Sequence, residues 1–230
     1  MKNEVIHQWN NAAEKYVAIQ ENSEYANINK NIVEKRFSKF NDEIVLDLGC
    51  GYGYYTDYFR RIGAYSIGVD GAKRMIEIAK DTFIESNFIL ADLLKPLPYE
   101  ESMFDIVFCN QVLMDIESIE KVFTETYRVL KAGGIFYFSI VHPAFYEGKW
   151  QMDESGFEYA KTVFSYLTPH KSQNDFWGKT AHFHRPISYY LNAASDAGFV
   201  LKHIDEPRIY NGINRNEDLP LFFFAEYEKN

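Results

Sequence analysis

A doubly wound α/β domain with a mainly parallel sheet is predicted by three observations in this 230-residue chain. The first is a short β-branched run, Ile44-Val45-Leu46-Asp47-Leu48, that collapses at once into glycines at 49, 51 and 53. Glycine is needed where the backbone turns sharply or a ligand comes closer than a Cβ permits. The second is recurrence: apolar runs of strand length return along the chain, most of them followed by apolar residues at helical spacing. The third is Phe104-Asp105-Ile106-Val107-Phe108-Cys109-Asn110, nearly all apolar, as a parallel strand covered on both faces should be.

The elements follow in order. Residues 1–43 read as a polar, helical cap, with Trp9 and Tyr16 as its aromatic residues of interest. Strand 44–48 and the glycine loop lead into a helix beginning at Tyr54, then a strand, Ala64–Asp70, and a helix, Lys73–Phe83. Asn87–Leu93 is the third strand and Phe104–Asn110 the fourth, with a loop through Asp115. A helix over Glu117–Leu130 carries Ile119, Val122, Phe123, Tyr127 and Leu130 on one stripe, and Gly133-Gly134 is read as its stop. Strand Ile135–Val141 follows. From His142 to Arg185 the rhythm breaks into an aromatic-rich insertion, with strand-like pieces at Glu158–Phe164 and Thr180–His184. Insertions of this length in compact domains are usually functional, and this one leaves the carboxyl edge of the sheet, where ligands bind. It is read as a lid; a structural hairpin or a dimer arm stays open beside that reading. A helix from Pro186 to Phe199 has Pro at its start and Gly198 near its end. A sixth strand follows, then a last one over Leu219–Tyr227, where Pro220 fits only the beginning.

Strand, glycine loop and helix make a nucleotide site, and the spacing narrows the choice. A dinucleotide loop has Gly-x-Gly-x-x-Gly, and a phosphate-binding Walker loop ends in Gly-Lys-Ser/Thr. Here the pattern is Asp47-x-Gly49-x-Gly51-x-Gly53. Asp70 lies about 20 residues past the loop, where its two oxygens can take both ribose hydroxyls. Capping the helix at Lys73 is the alternative role.

The loop resembles the first motif of the class I S-adenosylmethionine (SAM) methyltransferases. Arg128-Val129-Leu130-Lys131-Ala132-Gly133-Gly134 before the fifth strand is a second likeness, and Trp9-Asn10 with Tyr16 is similar to the family's opening helix. His184-Arg185, Ala197-Gly198-Phe199 and Glu206-Pro207 match the small-molecule branch. The resemblance implies a Rossmann-like, seven-stranded sheet whose last strand runs antiparallel between the fifth and sixth. It also implies SAM as cofactor, with Asp47, Gly49, Cys50, Gly51 and Gly53 at the amino-acid end, Asp70 on the ribose, and Asp92 with Leu93 at adenine. Tyr16, Tyr55, Thr56, Gly71, Met75, Asn110 and Gln111 complete the implied cofactor set.

Methyl transfer from a sulfonium needs alignment and desolvation, and needs a base only when the acceptor arrives protonated. His142, at the end of the fifth strand, is the first candidate base, with a structural histidine as the equal alternative. His184 is the second candidate, ranked with His182, and Asp115 comes after them. The acceptor pocket is expected from Tyr16, Asp115, His142, Tyr166, Trp177, His184 and Arg185, where the opening helix, the fifth strand and the lid converge. Arg185 reads either as a carboxylate anchor or as a tether to an acidic loop. His182 and His184 lack a third ligand, so no metal is expected.

Composition bounds the partners. A net charge of −9 argues against nucleic acid. The cluster Lys30, Lys35, Arg36 and Lys39 is interleaved with acids as a solvated face is. Two unpaired cysteines suit a reducing, cytoplasmic setting. No leader opens at Met1, and no apolar run spans a bilayer. One domain over 1–230, acting on a small-molecule methyl acceptor as monomer or homodimer, is the expectation. A tRNA or protein methyltransferase, or a SAM-binding protein without transfer, are the alternatives. Asn110 lacks a following Pro-Pro-aromatic and Cys109 a preceding Pro, against methylation of DNA amines and of cytosine carbon.

Overall fold

Two helices precede the first strand in the computed structural model, which describes residues 4–20 and 23–230. Met1–Asn3, on which the absence of a leader was partly read, lie outside the described residues. The helices are α1 (Glu4–Gln20) and α2 (Glu24–Arg36), the second capped by Ser23, whose hydroxyl accepts from Ala26 N–H. Then come β1 (Ile44–Leu48), α3 (Tyr54–Arg61), β2 (Tyr65–Asp70), α4 (Lys73–Thr82), β3 (Asn87–Leu90) and β4 (Phe104–Asn110). After a 3-10 turn at Leu113–Asp115 follow α5 (Ile119–Val129) and β5 (Leu130–Val141). The insertion folds as β6 (Trp150–Met152), β7 (Glu158–Lys161), β8 (His170–Asn174) and β9 (Thr180–His184). The chain closes with α6 (Ile187–Asp196), β10 (Phe199–Asp205) and β11 (Phe222–Lys229).

The main sheet has seven strands in the order β10-β11-β5-β4-β1-β2-β3. Five neighbouring strands pair in parallel, while β11 runs antiparallel to both β5 and β10. The order reverses between β1 and β4, which makes a crevice at their carboxyl ends, the ordinary ligand position in open α/β sheets. Alternation sorts the core into two layers. Leu46, Leu48, Val107, Phe136, Phe138 and Phe223 meet Ile119, Phe123 and Tyr190 on one face. Val45, Phe108, Tyr137, Phe222 and Phe224 meet Val33, Phe37 and Phe59 on the other.

Several boundaries differ from the sequence reading. Gly133-Gly134 does not stop α5, which ends at Val129. Phe104 faces Leu130 and Ile106 faces Ile135, so residues 131–134 are extruded from β5 as a bulge. A Cβ on Gly134 would stand 2.8 Å from the Lys131 carbonyl. The third strand stops at Leu90, leaving Asp92 in the loop beyond it, and the last begins at Phe222, with Pro220 just before it. The insertion is two antiparallel hairpins, β6–β7 and β8–β9, paired apart from the main sheet. No helix among the described residues is long and apolar enough to cross a membrane.

Candidate functional site

A cleft enclosing about 850 Å³, including its open mouth, lies at the reversal point of the sheet. Its walls come from α1, the glycine loop, the ends of β2 and β4, the loop after β3 and the segment 112–117. Of the residues expected at the cofactor, Tyr16, Gly49, Gly51, Asp70, Gly71, Met75, Asp92, Leu93, Asn110 and Gln111 line it. Asp47, Cys50, Gly53, Tyr55 and Thr56 do not; they form the underside of the loop.

The three loop glycines do different work, although all have positive φ. A Cβ on Gly49 would meet Val112 at 2.5 Å, and one on Gly53 would meet Phe88 at 2.6 Å and Ala79 at 3.0 Å. Those two let the loop pack down. A Cβ on Gly51 meets nothing within 4 Å, so this glycine, on the wall, keeps the cleft open for a ligand. The loop also needs a glycine that the sequence reading passed over. Gly68 of β2 faces Thr56 at 2.5 Å and Cys50 at 2.9 Å, measured from the Cβ it lacks.

The carboxylates divide in the same way. Asp47 is buried and accepts from the Thr56 hydroxyl at 2.6 Å. Burial lifts its carboxyl to about 7, the Thr56 bond opposing. It steadies the loop from beneath. Asp70 accepts from Gly51 N–H at 2.9 Å through Oδ2 and from Ala72 N–H at 2.7 Å through Oδ1. The N-cap of α4 is Ala72, with no side-chain cap, so Asp70 does not cap that helix. Each oxygen retains acceptor capacity toward the cleft. Burial raises the Asp70 carboxyl, against its backbone hydrogen bonds. Asp92 holds its own loop by accepting from Leu94 N–H at 3.0 Å.

Beneath the cleft, Gln111 takes a left-handed backbone conformation, φ 58°, that few non-glycine residues adopt. Its N–H donates to the Ser139 carbonyl at 2.9 Å and its side chain to the Ser139 hydroxyl at 3.0 Å. Ser139 donates in turn to Asn110, whose amide donates to Asn29 of α2 at 2.9 Å. Tyr55 also donates to Asn29, at 2.8 Å, which is why it supports the floor without lining it. Asn29 was missed in the sequence: a lone buried asparagine on a polar helix carries no local signal.

Over the cleft, Trp9 and Tyr16 of α1 line the wall, and Trp177 stands behind them. Trp9 stacks on Trp177 with centroids 5.9 Å apart, and Tyr16 meets Trp177 edge-on at 5.1 Å and Tyr52 at 6.3 Å. Burial pushes the Tyr16 phenol well above its ordinary range, so it is neutral at pH 7. Val5, Ile6 and Val112 are further wall residues that sequence reasoning passed over.

At the acceptor end the structure redistributes the expected residues. His142 is buried, with Nε2 2.6 Å from Glu206 and Nδ1 accepting from Ala144 N–H, and it does not line the cleft. His184 donates from Nε2 to the Tyr166 carbonyl at 2.8 Å and stacks on His170, away from the cleft. Tyr166 itself accepts from Ile187 N–H through its hydroxyl. Arg185 is buried and donates to the carbonyls of Ile116 and Glu117, each at 2.7 Å. Of its two readings, the tether is the geometry found.

Asp115 and His182 are the pair brought together. Asp115 lines the cleft; its Oδ1 lies 4.0 Å from Nδ1 of His182, and both atoms are buried without a hydrogen-bond partner. Burial drives the Asp115 carboxyl well above its usual range and His182 down to about 4. An imidazole neutral at pH 7 faces a carboxyl that resists ionisation, with no hydrogen bond between them. Tyr146 packs its ring on His182 at 4.8 Å and fixes it from the other side.

The residues present fit SAM. An unobstructed glycine, a carboxylate with acceptor capacity left on both oxygens and the apolar Met75 and Leu93 all stand on the wall of one cleft, the chemistry that an amino-acid end, a ribose and an adenine would need. Comparison with known proteins finds methyltransferases. Residues 46–138 match the model described as methyltransferase domain. A malonyl-[acyl-carrier protein] O-methyltransferase of Buchnera aphidicola is 32% identical over 118 residues, 51% of this chain and 47% of that one. The Yersinia pestis protein of the same name is 31% identical over 96 residues, 42% of this chain and 36% of its own length. The chain thus spans less than half the length of these curated relatives. A crystal structure of a SAM-dependent methyltransferase from Mesorhizobium loti superposes with TM-score 0.75 at 22% identity, covering 91% of this chain and all of that one.

Proposed function

We propose that this chain, which carries a class I SAM-dependent methyltransferase domain, transfers a methyl group from SAM to a small, neutral or cationic acceptor bearing a hydroxyl or amine. The observation that carries this reading is the unsatisfied Asp115 carboxyl on the cleft wall, with the unpartnered Nδ1 of His182, itself off the wall, 4.0 Å from it. A buried polar atom left without a partner costs roughly 1–3 kcal/mol, which a hydrogen-bonding acceptor would recover.

SAM supplies an electrophilic methyl on a sulfonium, so the protein's part is to align, desolvate and, where needed, take a proton. Asp70 and the Gly51 backbone bind; Trp9 and Tyr16, backed by Trp177, exclude water and present aromatic surface to a cation. His182, neutral at pH 7 and held by the Tyr146 ring, takes up the proton of a protonated nucleophile that Asp115 meets on the wall. The acceptor's charge follows from the wall. Asp92 and Glu117 stand on the wall beside Asp70 and Asp115, whose carboxyls burial raises, and among its described lining residues there is no Lys or Arg to meet an anion. The curated relatives are named for methylating a malonyl group on a carrier protein. A malonyl carboxylate would need a cationic partner, and Arg185 is already engaged by two carbonyls.

Labelled SAM incubated with the protein and fractionated cell extract tests this. Label should enter low-mass metabolites, and His182→Gln should slow transfer about 10²–10⁴-fold while leaving affinity for S-adenosylhomocysteine within twofold. Trp177→Ala should likewise cut transfer more than cofactor affinity. Label in RNA, in protein or on malonyl carrier protein would overturn the acceptor class.

A further inference from the structure

The insertion holds a second constellation, apart from the cleft. Strands β8 and β9 pair with His170 directly opposite His184 and Ser172 opposite His182. On that shared face Glu147, from the loop after β5, accepts from the Ser172 hydroxyl at 2.6 Å and lies 2.8 Å from His170 Nε2. One ligand atom from each of Glu147, His170 and His184 lies within 4.8 Å of the other two.

We propose that Glu147, His170 and His184 bind one divalent transition-metal ion of the zinc class. The argument rests on what the remaining ring nitrogens do. His170 donates from Nδ1 to the Thr168 carbonyl at 3.0 Å, and His184 donates from Nε2 to the Tyr166 carbonyl at 2.8 Å. A metal-binding histidine characteristically donates its other N–H to a carbonyl, which sets tautomer and ring direction. Both rings have one nitrogen held that way, leaving His170 Nε2 and His184 Nδ1 as the ligating atoms; the rings stack at 4.6 Å, so the partly exposed His170 would turn out of the stack as the ion takes its place on Glu147. Ser172 holds the carboxylate in the same manner. Two imidazoles and one carboxylate are a borderline-soft donor set, with a further position open to water. Hard cations such as Mg²⁺ prefer all-oxygen ligands.

An entry path exists. The cluster borders a cavity of about 750 Å³, its open mouth included, whose walls include Ala144, Glu147, His170 and His184. The side chains of His170 and Glu147 are 34% and 31% exposed, so they can close the last ångström around an ion. The ion would displace the proton now shared between His170 and Glu147. It would also clip the β8–β9 hairpin to the loop after β5, one rung from His182. The sequence expectation of no metal paired His184 with His182; the register pairs it with His170.

Tag-free protein, stripped with chelator, is titrated with zinc chloride by calorimetry, with a thermal melt alongside. One equivalent should bind, and saturation at a hundredfold excess over Kd should raise Tm by roughly 5–10 °C, reversed by chelator. Glu147→Gln and His170→Ala should each weaken binding at least tenfold. Glu147→Gln keeps the Ser172 bond, so its zinc-free melt should stay near that of the parent chain and show that it folds. Magnesium chloride should give no heat and no shift. No stoichiometric binding at 100 µM zinc, roughly the weak limit for a built site, or binding that survives both substitutions, overturns the proposal.

Discussion

Replacing Gly51 by alanine separates folding from cofactor binding in a way that the other loop glycines do not allow. At φ 53° an alanine sits in the left-handed region, at a cost of about 1–2 kcal/mol. Its Cβ meets nothing within 4 Å, so no packing cost is added. For a chain of this size each kcal/mol shifts Tm by roughly 2–4 °C, so the variant should melt about 2–8 °C lower and still fold. The added methyl, however, stands on the wall where the cofactor approaches, and affinity for S-adenosylhomocysteine should fall at least tenfold, about 1.4 kcal/mol. Gly53→Ala is the contrast. Its Cβ strikes Phe88 at 2.6 Å and Ala79 at 3.0 Å, which adds about 1–3 kcal/mol of overpacking to the backbone cost. Its loss should therefore be mainly in Tm. Melts and calorimetry on the two variants read both numbers. Cofactor affinity within twofold of the parent in Gly51→Ala would refute the placement.

Two further outcomes follow from buried charge. Asp47, lifted by burial to about 7 in the folded chain against about 4 unfolded, binds more protons folded than unfolded between those values. Its contribution to stability is thus full below pH 4 and lost as pH rises through 7. Between pH 5 and 7 Asp47→Asn should spare the cofactor-free protein on the order of 2 kcal/mol of that loss, read as a flatter Tm–pH curve; identical slopes would contradict it. Arg185→Met keeps the stem but strands the Ile116 and Glu117 carbonyls, and should cost roughly 2–4 kcal/mol in a denaturant melt. A raised KM with unchanged stability would instead restore the carboxylate-anchor role.

The cofactor half was legible because its signals are local. A strand, three alternating glycines and an acid about 20 residues on sit within one βαβ unit, and the structure brings Gly49, Gly51 and Asp70 to one wall while Gly53 packs beneath it. Even there, sequence could not say which face of the loop a residue serves: Asp47 and Thr56 bond each other underneath, while Gly49 and Gly51 face the cleft. The acceptor half was harder because its parts meet only through tertiary register. His182 and His184 share a face of β9, and alternation alone treats them alike. What distinguishes them stands opposite: Asp115 from the turn after β4 for one, His170 across the hairpin for the other. His142 read as a base from its strand-end position, yet Glu206, distant in sequence, occupies it. The bulge at residues 131–134 was hidden because glycines before a strand look the same whether they end a helix or are extruded.

Calorimetry with SAM, S-adenosylhomocysteine and NAD, on the parent chain and on Asp70→Ala, tests the central assignment of the cleft. One SAM or S-adenosylhomocysteine per chain should bind, and NAD should give no heat. Asp70→Ala, which removes the acceptor for Gly51 and Ala72 as well as for the ribose, should weaken SAM by about 1–3 kcal/mol. Tight NAD binding without SAM binding, or SAM binding indifferent to Asp70, would contradict the account.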